Sequence, residues 1–458
     1  MSKKRINRPL KIILLIFIVA LIVAVALYIT NYRNKTIIIE LSLYSGNSWG
    51  VPQNFAYIIY DRAVEMFEER YKEEGYRVKL RTGTMYKDYS EWFAQLVLKG
   101  KESDLFLILE EDFNTYAAIG LLTNLDKYIE QGKLDVSTFF PNALEAGQYQ
   151  GSQYSLPIGI VPSMMIVNND LLRSFGLEID LDNWTWEQFY ELCRAITVDL
   201  DGDGLPDRFG VEGYDWHHAF YTNDTSLFDV DNLKAGFNKE RMEELLIFLK
   251  KINALNRGVV IREGAFESGR VGFKTFNLSE FRVYGSYPYK VLRFNQFDWD
   301  VLPFPHGPQG ESKSKLFTVQ MGMSSRSRHK DVAYKFLQFI SSDEQFQHQI
   351  WNLSNMLPVN LRVFDDLYTS GVILEDGLKP LSRPFIEDII ANSYIDPNFK
   401  KFPIIDRYIT QQIYTIIAQD QDIPTSVLNL QELIAEQLQW EASIRQTSSK
   451  RGENALLL

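Results

Sequence analysis

Between residues 36 and 109 three strand-like runs alternate with two amphipathic stretches. Thr36-Ile-Ile-Ile-Glu-Leu-Ser-Leu-Tyr44 is dense in β-branched residues and reads as a strand. From Phe55 to Tyr71 the apolar positions Ile58, Ile59, Ala63, Met66 and Phe67 repeat at helical spacing. Tyr76–Leu80 is a second strand and Ser90–Leu98 a second helix. Asp104-Leu-Phe-Leu-Ile-Leu109 is a continuous apolar run, as expected of a strand covered on both faces. Strand–helix–strand–helix–strand in about 75 residues leaves little choice but a right-handed parallel α/β sheet. Further on, Thr185-x-x-Gln188 is a capping box opening a helix that buries Cys193, and Asp331–Ile340 is strongly amphipathic. No internal repeat or low-complexity tract is present, and Thr447–Leu458 reads as a frayed tail.

A chain of 458 residues is too long for one core. Its first part is distinct. Ile12–Ile29 is an uncharged, almost wholly apolar run of eighteen residues, and with Leu10 and Thr30 at its edges it is about long enough to span a hydrocarbon core of roughly 30 Å. Lys3, Lys4, Arg5, Arg8 and Lys11 precede it, which predicts a cytoplasmic N-terminus and an extracellular remainder. A cleaved signal peptide is the competing reading. The run is longer than such a segment usually is and ends in Leu27-Tyr28-Ile29, without a small-residue cleavage site, so an uncleaved membrane anchor through residues 10–30 is expected.

Charge excludes one class of partner. The chain carries a net −11, and seven of its basic residues precede residue 36 with no acid among them, so residues 36–458 are more acidic still. Nucleic-acid affinity comes mainly from neutralising phosphates, so DNA and RNA are not expected partners. One cysteine allows no internal disulfide and no cysteine-built zinc site, and the five histidines show no zinc-ligand spacing.

Three motifs carry possible chemistry. Gly46-Asn47-Ser48-Trp49-Gly50 matches a nucleophile elbow, but it follows the first strand of the ectodomain and no histidine is distinctively placed to serve Ser48. A glycine-rich turn presenting Trp49 is the preferred reading. Asp199, Asp201, Asp203, Gly204 and Asp207 reproduce the alternating carboxylates of a calcium loop, with Leu205 at the carbonyl position. Gly210 stands where an EF-hand has its bidentate glutamate, and Glu212 is the substitute two residues on. A bound Ca²⁺ would stiffen this loop, and no other cofactor is required; an Asp/Gly-rich surface turn is the alternative. Glu110-Glu111-Asp112 ends a buried strand, where ligands of open α/β sheets bind. These acids read as acceptors for hydroxyls or as a helix cap, with glycosidase chemistry a third reading. Aromatics beside turns, among them Tyr44, Trp49, Tyr214, Trp216, Phe276 and Trp299, suit stacking on sugar rings, although each alone also suits a core.

Together these pieces resemble the family 1 extracellular solute-binding proteins of bacterial ABC importers, over nearly all of residues 36–440. The resemblance rests on ordered blocks: Ser103–Leu125; Gln150-Gly-Ser-Gln-Tyr-Ser-Leu-Pro157 followed by Met165–Leu171; Trp184-Thr-Trp186; the Asp199–Gly210 loop; Ala265–Phe273; and Met323–Leu337 with Leu357-Pro-Val359. It implies an α/β, periplasmic-binding-protein-like (type II) fold of two lobes joined by two or three crossovers. The crossovers are expected near Pro157–Pro162, Phe273 and Thr318–Met323. Residues 36–158 with 272–318 would form one lobe, and 162–270 with 322–458 the other, after an N-terminal segment 1–35.

The family's ligand contacts carry over by motif position to Tyr44, Ser45, Asn47 and Trp49; to Glu110 and Asp112; to Ile160, Val161, Pro162 and Ser163; to Tyr214 and Trp216; and to Phe276 and Asn277. Ile160-Val161 and Asn277-Leu278-Ser279 stand where relatives often place an acid and an aromatic, which implies a less polar cleft. The implied function is a membrane-anchored extracellular receptor that captures a sugar or oligosaccharide and delivers it to ABC permease subunits. Two alternatives are a ligand-sensing module for a membrane signalling partner, and a hydrolase acting through Ser48 or Glu110.

Overall fold

The computed structural model describes residues 36–45, 55–229, 234–236, 238–262, 264–280, 297–370 and 381–455, with 17, 20 and 21. Among the described residues no helix is long and apolar enough to cross a membrane. The span expected at 12–29 lies outside them apart from those three positions.

The first strands and helices follow the sequence pattern. They are β1 (Ile37–Ser45), α1 (Phe55–Arg70), β2 (Tyr76–Met85), α2 (Tyr89–Leu98), β3 (Leu105–Ile108) and α3 (Glu110–Ala118). β1 pairs in parallel with β2 on one side and β3 on the other, as the alternation requires. All four residues of β3 are buried, which its unbroken apolar run anticipated.

The long strand β4 (Ser155–Asn168) organises the rest of the molecule, and all fourteen of its residues are buried. It is followed by α4 (Trp186–Ile196), β5 (Phe209–Glu212), α5 (Trp216–Tyr221), α6 (Lys239–Ala254), β6 (Val271–Asn277), β7 (Trp299–Leu302) and β8 (Ser314–Met323). Then come α7 (Lys330–Ser342), α8 (Glu344–Leu353), β9 (Leu357–Pro358), β10 (Ser393–Tyr394), α9 (Phe402–Ala418) and α10 (Ile423–Ala455). One ten-stranded sheet runs β2-β1-β3-β8-β4-β6-β5, with β7 and β9 against β4 and β10 against β8.

β4 changes partners half-way along. From Ser155 to Pro162 it pairs antiparallel with β8; from Ser163 to Val167 it pairs antiparallel with β6. The switch falls at Pro162, which has no N–H to give to a ladder. Beside it the Ser163 hydroxyl accepts the Lys315 backbone N–H at 2.8 Å.

Two apolar cores share this strand, and beyond the switch its residues alternate between them, Met164 and Ile166 in the first and Met165 and Val167 in the second. The first holds Leu41, Phe67, Phe106, Leu156, Phe336, Phe364 and Ile390. Fully buried Phe67 of α1 meets Phe336 of α7 at a ring-centroid distance of 5.0 Å. The second holds Met165, Trp184, Phe189, Phe273, Phe304, Ile409 and Ile434. Burial of side chains this size contributes roughly 1.5–3 kcal/mol each.

These cores do not map one to one onto the expected lobes. Phe273, Leu302 and Phe304, expected in the first lobe, pack in the second core. The buried apolar residues from Met323 to Leu367 and from Leu381 to Ile390, expected in the second, pack in the first. The reason is pairing: β6 lies against the far half of β4, with Phe273 turned into the second core and its strand neighbours Val271 and Phe276 into the first. A last passage leads from Ile390 in the first core to Phe399 in the second.

Candidate functional site

Between the two cores, around the switch in β4, lie three adjoining pockets of about 440, 300 and 230 Å³. They share walls: Glu110 borders the first and third, His217 the first and second, and Asn277 the second and third.

Glu110 opens α3 directly after the buried strand β3, so the strand's end aims it at the cleft. Its Oε2 lies 3.2 Å from Lys315 Nζ, and Lys315 Nζ lies 2.8 Å from Asp396 Oδ2. Burial, then the neighbouring Asp396 carboxylate, pushes the Glu110 carboxyl up to about 8, with Lys315 opposing. Burial alone would lower Lys315, but Glu110 and Asp396 together raise it above its ordinary value. Beside this group the Tyr394 ring stacks on Tyr221 with centroids 3.6 Å apart and planes 15° apart.

A second charged group forms at α5. Asp215 caps this helix, accepting the N–H groups of His217 and His218. His217 Nε2 lies 3.0 Å from Asp406 Oδ1 and its Nδ1 3.5 Å from Asp215 Oδ2. Burial opposes protonation of His217, yet its bonds to Asp215 and Asp406 push it up to about 9. Burial works against the Asp215 charge too, but His218 and His217 hold its carboxyl well below the usual range.

Of the expected contacts, Tyr44, Glu110, Ser163, Phe276 and Asn277 do border these pockets. Asn47, Ser48 and Trp49 lie outside the described residues, and of Ser45 only the backbone is described. Six of the expected contacts are placed away from these pockets. Val161 and Pro162 are buried within β4, and Val161 belongs to the first core, as does Ile160. Asp112 turns away to accept the Ser90 hydroxyl. Tyr214 is wedged against Phe189 and Phe248, and Trp216 is 3% exposed with its Nε1 donating to Thr410 Oγ1. In a helix of six residues capped by Asp215, it is His217, not Trp216, that faces the cleft.

The cleft is therefore more charged than its motifs imply. Lys315, Asp396, Tyr394, His217 and Asp406 were missed, and three of these lie at or beyond residue 394, past the last block of the resemblance. One signal was available: Lys315 interrupts the otherwise strand-like Ser314–Val319.

The calcium-like loop lies elsewhere. Asp199 accepts the N–H groups of Gly202 and Gly204, both at positive φ, where glycine carries no steric penalty. Carboxylate oxygens of Asp199, Asp201 and Asp207 lie within 4.8 Å of one another. Oxygens each about 2.4 Å from one Ca²⁺ have that spacing, so these residues fit the ion. Asp203 stands apart, accepting the Leu205 N–H at 2.8 Å. Glu212 does not substitute for the missing glutamate. It pairs with Lys274 at 3.3 Å and accepts the Phe266 N–H at 3.0 Å.

The profile of the bacterial extracellular solute-binding proteins matches residues 58–345. The chain belongs to that family. A curated relative, the maltotriose-binding protein of Pyrococcus abyssi, is 22% identical over 286 residues, which are 58% of this chain and 57% of that protein. The chain thus spans little more than half the length of that relative. Among solved structures, an ABC substrate-binding protein of Listeria monocytogenes in complex with cycloalternan superposes with a TM-score of 0.67 at 21% identity, covering 88% of this chain and 99% of that one. The sugar-binding protein MalE of Xanthomonas citri superposes with a TM-score of 0.70 at 17% identity, covering 90% and 99%. At these identities the likeness is one of fold, and it confirms the two-lobe α/β architecture. Families of this kind bind solutes and do not convert them, so the hydrolase readings of Ser48 and Glu110 are set aside.

Proposed function

We propose that this solute-binding protein is the extracellular receptor of an ABC importer, captures a sugar or oligosaccharide between its lobes, and is tethered to the membrane by residues 12–29. The observation that carries the reading is the cleft at the β4 switch. There hydrogen-bonding groups (Glu110, Asp396, Asn277) stand beside aromatic rings (Tyr44, Phe276, Tyr394). Rings cover the C–H faces of a sugar while carboxylates and amides take its hydroxyls, and closure of the lobes excludes water. Relatives named for maltotriose, cycloalternan and other sugars support the same class of ligand.

Closed, liganded lobes would be the form that a permease recognises, through higher ligand affinity of the closed state. Ca²⁺ held by Asp199, Asp201 and Asp207 would brace the second lobe away from the cleft. The test is thermal unfolding of the detergent-solubilised full chain against mono- and oligosaccharides. A ligand at 100 times its dissociation constant adds roughly 2.7 kcal/mol of apparent stability. A selective rise with one saccharide class supports the receptor; silence across the panel overturns the sugar reading.

A further inference from the structure

Residues 36–458 are acidic as a whole, yet one surface of the first lobe is basic. It lies toward the starts of β1, β2 and β3, whose other ends face the cleft at Tyr44 and Glu110. Helix α2 ends there at Leu98, and Lys99 and Lys101 follow before β3. Arg81 of β2 donates to the Lys101 carbonyl at 2.7 Å. Arg326, just past β8, donates to the Val97 carbonyl at 3.3 Å, and Arg328 follows it.

Three acids lie among these groups, and each is already answered. Glu40 pairs with Lys79 at 3.0 Å and with Arg81 at 3.6 Å. The Glu102 side chain, 2% exposed, pairs with Arg326 at 3.2 Å. Asp104 accepts the Glu40 N–H and the Ser327 hydroxyl. Lys99, Lys101 and Arg328 are exposed and have no acid partner among the described residues. Beside them Leu98 is 87% exposed, more than any other large apolar side chain among the described residues. Cationic groups around an exposed leucine suit a phospholipid interface.

The second observation is independent of charge. Only Thr30 to Lys35, six residues, separate the apolar run ending at Ile29 from Thr36. Fully extended, they reach at most about 20 Å. β1 begins at Ile37, and Lys79 and Arg81 stand opposite its Glu40 and Ser42. At about 3.3 Å per residue, the basic surface begins roughly 10–17 Å along β1 from the point where the tether joins. The tether thus holds this surface within reach of the lipid.

We propose that Arg81, Leu98, Lys99, Lys101, Arg326 and Arg328 dock the first lobe on anionic phospholipid headgroups of the membrane that the tether crosses. This rests on the tether in the reading above and adds an orientation to it. The basic surface is drawn to the headgroups while the acidic remainder is repelled from them. The cleft, at the opposite strand ends, stays clear of the lipid.

The test uses the full chain reconstituted in vesicles of phosphatidylcholine alone or with roughly 30% phosphatidylglycerol. A fluorophore on Gln95→Cys, an exposed position of α2, reports quenching by lipids with a nitroxide headgroup, and the native Cys193 is buried. The expected result is quenching about twofold stronger in the anionic vesicles, with the excess lost at roughly 500 mM salt. Lys99→Glu with Lys101→Glu, both at exposed positions, should abolish the excess. A fluorophore on Gln419→Cys, exposed at the end of α9, should not respond to lipid composition. Equal quenching in both vesicles, or an excess that survives the charge reversal, would overturn the docking surface. The tether is judged separately, by flotation of the vesicles after a high-salt alkaline wash. A chain that floats keeps the tether whatever the quenching shows; a chain stripped from both kinds of vesicle overturns the tether and the docking with it.

Discussion

The Lys315 ammonium lies 2.8 Å from the Asp396 carboxylate, joining β8 to the passage between the two cores. Glu110, 3.2 Å away on the far side, makes Lys315 the shared counter-ion of two acids. Removing the base leaves both without it. Lys315→Met is therefore expected to destabilise the fold by about 1–2 kcal/mol, between the cost of breaking an exposed and a buried pair, since Lys315 is 19% and Asp396 21% exposed. Adding Glu110→Gln and Asp396→Asn should recover most of that loss. Urea denaturation of the single and triple variants measures it, and a triple variant no more stable than the single would refute the shared-counter-ion account.

Stability should fall as pH rises from 6.5 to 9.5. His217 binds its proton more tightly in the fold, with a value of about 9 against an ordinary 6.5. Its contribution is complete below 6.5 and is lost as pH passes 9. Glu110 has the same sign, since its value of about 8 exceeds the ordinary 4.5, so its contribution also disappears as pH rises through 8. Asp215 is held low and acts in the opposite sense only at acid pH, outside this window. Tm followed from pH 6.5 to 9.5 should decline, and His217→Asn should flatten the upper part of the curve. A flat or rising wild-type profile would contradict the His217 assignment.

The sheet around β1, β2 and β3 was legible because local patterning and burial agree there. Apolar Leu105–Ile108 has no polar face to place in water, so only a covered strand satisfies it. The lobe boundaries were less legible. Nothing in Val271–Asn277 says which half of β4 it will pair with, since strand partners depend on residues a hundred positions away. The site was legible where one strand end fixes it, as at Glu110. It was not where a helix phase decides: Trp216 and His217 are adjacent, and the Asp215 cap turns one into the core and the other into the cleft. Asp396 and Asp406 had no local signature. Their role comes from meeting Lys315 and His217 across long stretches of chain.

Gly210 should tolerate no side chain. A Cβ built there would lie 2.4 Å from Cys193 Cβ and 2.8 Å from Cys193 Cα, so strand β5 and helix α4 touch at this point. Gly210→Ala forces them apart, which costs on the order of 1–3 kcal/mol. Cys193→Ala in the same chain should restore little, because the clash with Cβ and Cα remains. A thermal melt reads this directly. An unchanged Tm for Gly210→Ala would mean that the contact between β5 and α4 is looser than it is here.

The loop from Asp199 to Asp207 gives a prediction separable from the cleft. Its three converging carboxylates repel one another without a cation, while the Gly202 and Gly204 N–H groups already hold Asp199 in place. Much of the order that binding would demand is thus built in, and the ion needs only to offset the repulsion. Added Ca²⁺ is expected to raise Tm by a few degrees, with Mg²⁺ weaker because it demands a tighter octahedral shell and sheds water reluctantly. Asp199→Asn should abolish the rise, since it removes a ligand charge and one of the two oxygens that accept the Gly202 and Gly204 N–H groups. Asp203→Asn should keep most of it, because Asp203 stands outside the converging group. Glu212→Gln should keep it too, as Glu212 is committed to Lys274 and the Phe266 N–H. An equal response from all three variants, measured after chelator treatment and stepwise Ca²⁺ addition, would move the ion away from this loop.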